Sequence, residues 1–317
     1  RLTRNGDATF RYETLDKAVM NFNAAGNLQN WIHPTGVIIN LAYTGNNLTQ
    51  VSNNLGRALN FGYNGSNLSS ISDGNGRSVF YNVDAGGNLI SSTDSLFQQT
   101  IFEYDLPGRL TKLFYPTAPT SPFLFNVYDS FDRVQSQTNA NGKLYTYHFA
   151  GSRSEEVTPD GKRLISYQNA LGRITRSLDG LMRETLTDYD GMMRPIRVTL
   201  PEKNQILTVY DDATCGGALQ RCSHNPLSVT QVAKPGSGLT NLVQSFTYEP
   251  LFAKVKSATD ANGGVTDYIY DPVTGNLLST KLPADSLGAR PETTYEYSEF
   301  GGITLLTRQA EQINRFG

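Results

Sequence analysis

The stretch Tyr104-Asp105-Leu106-Pro107-Gly108-Arg109-Leu110 follows a pattern, Y-D-x-x-G-R/N-L, that returns through most of the chain and limits what the chain can fold into. Tyrosine suits the end of a half-buried strand, because large aromatics pack well on a pleated surface. Asp can bond to its own backbone and Gly can adopt a positive φ at little cost, so Asp-x-x-Gly turns the chain. Leu then resumes a strand. Each copy predicts a β-hairpin whose short loop contains a Gly bulge position.

Aligned on the tyrosine or its replacement, the copies fall at Phe22, Tyr43, Tyr63, Val83, Tyr104, Tyr128, Tyr147, Tyr167, Tyr189, Tyr210, Tyr248, Tyr270 and Tyr297. The spacing stays near 21 residues, with one long step of 38 between Tyr210 and Tyr248. Such a period marks a repeat architecture, in which each unit buries its apolar face against its neighbours. Further turn signals lie halfway along, as at Asp73-Gly74-Asn75-Gly76, Asn139-Ala140-Asn141-Gly142 and Asp260-Ala261-Asn262-Gly263. Two turns per period leave two strands of about five or six residues, hence about 26 strands in all. An apolar residue two places before the tyrosine, as in Phe102/Tyr104, Tyr145/Tyr147 and Tyr268/Tyr270, puts both rings on one face of the sheet. No stripe at 3.6-residue spacing competes with this pattern.

A flat ribbon of that many strands would be on the order of 125 Å wide, and twisted open sheets curl or split well before that. The expected fold is all-β, with repeated β-hairpins forming a long curled or spiralling antiparallel sheet. It is expected to run as one segment over residues 1–317, with about thirteen repeats and a loop insertion at about 211–243. The chain starts at Arg1 without an initiating Met and reads as a fragment of a longer chain. Some copies deviate. Asp132 and Met193 stand where Gly is expected; Asp tolerates left-handed backbone, whereas Met is expected to need a different turn. His148 and Glu249 take the Asp position.

Composition excludes several partners. A net charge of −2, 18% charged residues and no run of five Lys or Arg give no basic surface for nucleic acid or an anionic membrane. The apolar runs are far shorter than the roughly 20 residues of a membrane span. No G-x-S-x-G, H-E-x-x-H or P-loop sequence occurs. The adjacent acids Glu155 and Glu156 would point to opposite faces of a strand and could not act as a pair. His33 and His148 read as solvated turn residues. We therefore expect no enzyme, no catalytic residue and no cofactor.

Cys215 and Cys222 lie in the large insertion, where a disulfide is the expected state and would stabilise by roughly 2–3 kcal/mol. His224 follows closely, but C-x6-C-x-H matches no common zinc site and supplies no fourth ligand, so no metal is expected. The seventeen tyrosines allow two arrangements. Their rings can pack along the sheet with the hydroxyls bonded to neighbouring turns, or a water-facing row can stack against sugars.

The copies at Tyr104 to Leu110, Tyr128 to Val134, Tyr189 to Pro195 and Tyr270 to Leu277 are similar to the YD repeats of the RHS family. That family includes bacterial Rhs toxins, the B and C components of insecticidal toxin complexes, and teneurin adhesion proteins. The resemblance covers the chain from about Phe22 to Gly302. It implies a hairpin strip wound into a hollow shell, secreted or at the bacterial cell surface, inside which bacterial members enclose a toxic polypeptide. Its structural repeat residues here would be Tyr43, Tyr63, Tyr104, Gly108, Arg109, Tyr128, Tyr147, Tyr189, Tyr210, Tyr248, Tyr270, Gly275 and Tyr297. The implied partners are neighbouring repeats of the parent chain and an enclosed toxin domain. The alternative is an adhesion or carbohydrate-binding module, or a self-assembling block of a surface filament or coat. Bacterial members end the shell with a self-cleavage segment of D-P-x-G-L type. Asp271-Pro272-Val273-Thr274-Gly275-Asn276 shares part of it, but Tyr270 precedes it in phase, so it reads as an ordinary repeat.

Overall fold

The computed structural model describes residues 1–14, 16–211, 224–298 and 302–309; Cys215 and Cys222, and with them the expected disulfide, lie outside the described residues. Among the described residues there is no helix, and twenty-eight strands form one antiparallel sheet. Strands next to each other in the chain pair with each other. Gln99–Leu106 pairs with Arg109–Phe114, then Leu124–Tyr128, then Val134–Asn139. Twenty-six strands run from Val19–Phe22 to Ile303–Gln309, as the period predicts, and Leu2–Arg4 and Phe10–Glu13 precede them. The chain groups into two compact units, one of residues 41–186 and the other of the described residues in 1–40 and 187–317.

In the 41–186 unit the two faces differ as the alternation requires. Phe102 lies opposite Leu113, and Leu113 opposite Leu124, giving an apolar face shared with Tyr104. On the other face Lys112 lies opposite Glu103 and donates to it at 2.7 Å. Amides and hydroxyls pair across strands on that face, with Gln50 donating to Asn60 and Asn82 to Ser91, both at 2.9 Å. The other unit shows the same division. Tyr268 and Tyr270 are half-buried while Ile269 between them is exposed, and Asn21 donates to Asn30 at 2.8 Å. Few apolar side chains are buried; among the described residues they are Ala18, Phe114, Ile165 and Phe252. Stability therefore rests on contacts between adjacent copies and not on a central core.

The register slips at the tyrosine of most copies. Tyr128 lies opposite Val134 and Val127 opposite Ser136, which leaves Gln135 unpaired. The same bulge recurs at Tyr63, Tyr104, Tyr210, Tyr248, Tyr270 and Tyr297. A bulge bends its strand and increases local twist, so the repeat also repeats a bend.

Four expectations are corrected. Met193 keeps the common turn with φ 61°, because the Asp190 carboxylate fixes the backbone around it by accepting from Met192 N and Arg194 N at 2.9 and 3.0 Å. His148 lies within the strand Leu144–Ala150, opposite Glu155, and not in a turn, since that hairpin closes later at Gly151-Ser152 with Ala150 opposite Arg153. Tyr167 is out of phase. Gln168 lies opposite Ile174 with Thr175 as the bulge, so Gln168 holds the tyrosine slot and Asn169 the aspartate slot. The interval between Asp211 and Val243 is more than a loop, for it contains the strand Pro226–Val232, paired on both sides.

Candidate functional surface: the tyrosine slots and the turns between copies

The turn at Asp129 shows how the sequence builds each joint. Asp129 N donates to Arg133 O at 2.9 Å and Asp132 N to Asp129 O at 3.2 Å, closing a tight loop. One carboxylate oxygen of Asp129 accepts from Phe131 N at 2.8 Å and Arg133 N at 3.1 Å, and the other accepts from Arg133 Nε at 2.8 Å. Asp132 takes the left-handed position with φ 59°. The Arg133 guanidinium, helped by the backbone N–H groups, holds the Asp129 carboxyl below its usual range. Asp94, Asp179, Asp260 and Asp285 accept the same two backbone bonds, as do Asn53, Asn139 and Asn169. His33 does related work with its ring, where Nδ1 accepts from Thr35 N at 3.3 Å.

The Tyr104 copy uses a tighter form. Leu106 lies opposite Arg109 across the two-residue turn Pro107-Gly108, and Gly108 sits at φ 77°. Pro then Gly is the signature of a turn that needs positive φ at its second residue. Arg109 forks onto Asp105 with two bonds of 2.8 Å and reaches Asp132 of the next copy at 2.6 Å. Gly108 N donates back to Asn88 of the preceding copy at 2.7 Å. One turn is thus bonded to both of its neighbours.

The tyrosine hydroxyls form a second set of links. Tyr63 donates to Leu48 O, Tyr104 to Leu89 O and Tyr128 to Leu110 O at 2.9, 3.1 and 2.6 Å. Tyr210 donates to Pro195 O, Tyr248 to Pro226 O, Tyr270 to Val255 O and Tyr297 to Leu277 O at 3.1, 2.8, 2.9 and 2.8 Å. Every acceptor is the main-chain carbonyl of the residue that resumes the strand in the preceding copy. Burial pushes the phenols of Tyr104, Tyr147, Tyr210, Tyr248, Tyr270 and Tyr297 up. Tyr43 and Tyr147 are half-buried within Ile38–Thr44 and Leu144–Ala150, and Tyr189 ends the strand Glu184–Tyr189.

Sequence reasoning missed a third link. The cation before the resumed strand lies over the next copy's ring, with Arg109 5.3 Å from the Tyr128 centroid, Arg194 4.5 Å from Tyr210 and Lys254 5.4 Å from Tyr270. Such contacts contribute about 0.5–2 kcal/mol according to how well water is excluded. The signal was present as the R or K immediately before the residue that resumes the strand, the sixth place for Arg109 and Arg194 and the seventh for Lys254. Gly275 meets a related demand. It sits at φ 71°, and a Cβ there would lie 3.0 Å from the ring of Phe252, which is only 6% exposed. Lys254 Nζ donates to Gly275 O at 2.6 Å, so this glycine also receives a link from the preceding copy.

Around Tyr167 the joint is built from charge instead. Glu155, 5% exposed, accepts from both Arg153 and Arg163. The Arg163 bond and then the Arg153 bond outweigh burial and bring its carboxyl down to about 2. Arg153 lies opposite Tyr167, Arg176 lies 4.9 Å from the Tyr167 centroid, and Arg176 donates to Glu184 at 2.7 Å. Each carboxylate has a cation, and the cluster can hold strands in register. Among the described residues no group of three or more His, Cys, Asp and Glu is placed to hold a metal.

No protein-family model and no curated protein matches the sequence. Solved structures do match. The crystal structures of TcdB2-TccC3-Cdc42 and of TcdB2-TccC3 superimpose with TM-scores of 0.57 and 0.56 at 15% identity, covering 94% of this chain. The Tc holotoxin pore of Photorhabdus luminescens matches with a TM-score of 0.55, 15% identity and the same coverage. This chain spans about 18% of the length of those chains. At such identity the likeness establishes the fold: this is a hairpin-repeat sheet of the kind found in Tc toxin complexes.

Proposed function

We propose that this chain is a non-enzymatic wall segment of an RHS-type shell, in a secreted or cell-surface bacterial protein, and that the wall encloses or displays a toxin polypeptide. The observation that carries this reading is the direction of the links. Turn bonds, tyrosine hydroxyls and stacked cations all run from one copy to the next, and so few side chains are fully buried that the sequence is invested in extending a sheet. The fold shared with Tc toxin complexes over 94% of the chain supports it. The row of tyrosines gives little support to a sugar-binding reading, since seven hydroxyls are already committed to main-chain carbonyls.

The test is limited proteolysis of the parent protein that contains this segment. A polypeptide held behind the wall should resist protease until denaturant unfolds the sheet. Cleavage at the same rate as in the isolated polypeptide would overturn the proposal.

A further inference from the structure

A cleft of about 350 Å³ in the 41–186 unit lies between two successive turns of the sheet. One wall is the turn at 94–98 and the other is the loop 115–123, which is longer than the usual joint. Phe97 takes the left-handed position of its turn at φ 61°, as Met182 and Met193 do in theirs. Its ring is 81% exposed beside Leu96 at 74%, an apolar pair presented to solvent at the mouth of the cleft.

Both walls are pre-formed. Asp94 accepts from Leu96 N and Gln98 N at 2.8 and 2.9 Å, which fixes the turn that presents Phe97. In the loop, Ala118 N donates to Tyr115 O at 3.0 Å and Phe123 N to Leu113 O at 2.8 Å. The Tyr115 and Phe123 rings close its base at 4.5 Å, and Pro116 and Pro119 stiffen it. A site that is rigid before binding loses little entropy on binding.

The lining selects a class of ligand. Phe97, Ile101, Pro116 and Pro119 give apolar surface, with the Phe97 ring as an open flat face. Gln98, Gln99 and Thr117 give two amides, each able to donate and accept, and a hydroxyl. No lining side chain is ionised, so an ion would find no counter-charge and a purely apolar ligand would leave the amides unmatched. The volume is at the lower end of ligand sites, roughly 300–1,000 Å³. A single ring that is apolar on its face and hydroxylated on its rim satisfies all three limits. We propose that the cleft binds a neutral saccharide, with Phe97 as the stacking platform and Gln98, Gln99 and Thr117 as partners for its hydroxyls. The inference is independent of the shell reading.

The test uses the whole chain against immobilised neutral oligosaccharides ending in glucose, galactose, mannose or N-acetylhexosamine, alongside sialylated and sulfated glycans and a proline-rich peptide. At least one neutral series should bind, with saturation transfer to the Phe97 ring region by NMR. Phe97→Gly removes the platform while relieving the left-handed strain. It should leave the unfolding midpoint unchanged or higher, yet weaken binding by about tenfold or more. Gln99→Ala should weaken binding several-fold. The proposal falls if no neutral oligosaccharide binds, if Phe97→Gly binds as well as the unaltered chain, or if the charged glycans or the peptide occupy the cleft in preference.

Discussion

Two stretches of the same unit, Gln99 to Asn139 and Leu144 to Leu178, solve one problem in different ways. In the first, Tyr104 and Tyr128 sit at bulges, donate their hydroxyls to the preceding copy, and Tyr128 lies under Arg109. In the second, the hairpin at Gly151-Ser152 closes without a bulge, and the phase of the letters slips by one. Tyr147 lies opposite Glu156 and Tyr167 opposite Arg153, so the two rings point to opposite faces. Gln168 takes the slot, and the Arg153–Glu155–Arg163 cluster lies on the face to which Tyr167 has moved. The unit of repetition is a slot with a register, which a tyrosine usually fills. Where it is empty of tyrosine, charge holds the strands.

The sharpest way to break this comparison is ring removal. Tyr128→Ala loses a half-buried ring, its hydrogen bond and the stacked Arg109, and should cost about 3 kcal/mol. Tyr167→Ala should cost about half as much. Equal shifts in denaturant midpoint would erase the distinction. Next in size, Glu155→Gln should cost about 2 kcal/mol, less than for a fully buried pair because Arg163 and Arg153 still reach water. The Glu155 carboxyl falls from an ordinary 4.5 to about 2 on folding. Its contribution is therefore complete above about pH 4.5 and is lost as pH falls toward 2. Stability measured from pH 6 to 2 should lose part of its acid limb in Glu155→Gln, and an unchanged limb would show that the cluster is not coupled to folding.

The smallest contrast concerns the left-handed turn position. Gly172→Ala, at φ 76° in the charge-held stretch, should cost about 1 kcal/mol. Asp132→Gly in the other stretch relieves similar strain but gives up an exposed bond from Arg109, so the two effects should cancel to within about 0.5 kcal/mol. A large loss on Asp132→Gly would mean that the Arg109 bridge is a principal link.

The hairpins and their period were legible because Tyr, Asp and Gly each have a local backbone reason to recur. The phase error at Tyr167 shows the limit of that reading. A bulge is a property of two paired strands, and no letter at Thr175 announces it. Met193 and Phe97 were obscured for another reason. An aspartate cap three residues earlier can hold almost any residue left-handed, so preference at the position itself was a poor guide. The stacking of Arg109, Arg194 and Lys254 was legible in principle, since each cation directly precedes the residue that resumes the strand and each ring fills the tyrosine slot of the next copy.

The tyrosine hydroxyls donate to the same kind of partner in all seven of these bonds, and this has a consequence for how such a chain can change. Their partner is a carbonyl oxygen, supplied equally by Leu48, Pro195, Pro226 and Val255. Every residue carries one, proline included. This hydroxyl bond is therefore specified from one side only, and for it the receiving copy need not match in sequence. Whole hairpin pairs can be duplicated, deleted or exchanged with this bond intact, so it sets no limit on the length of the sheet.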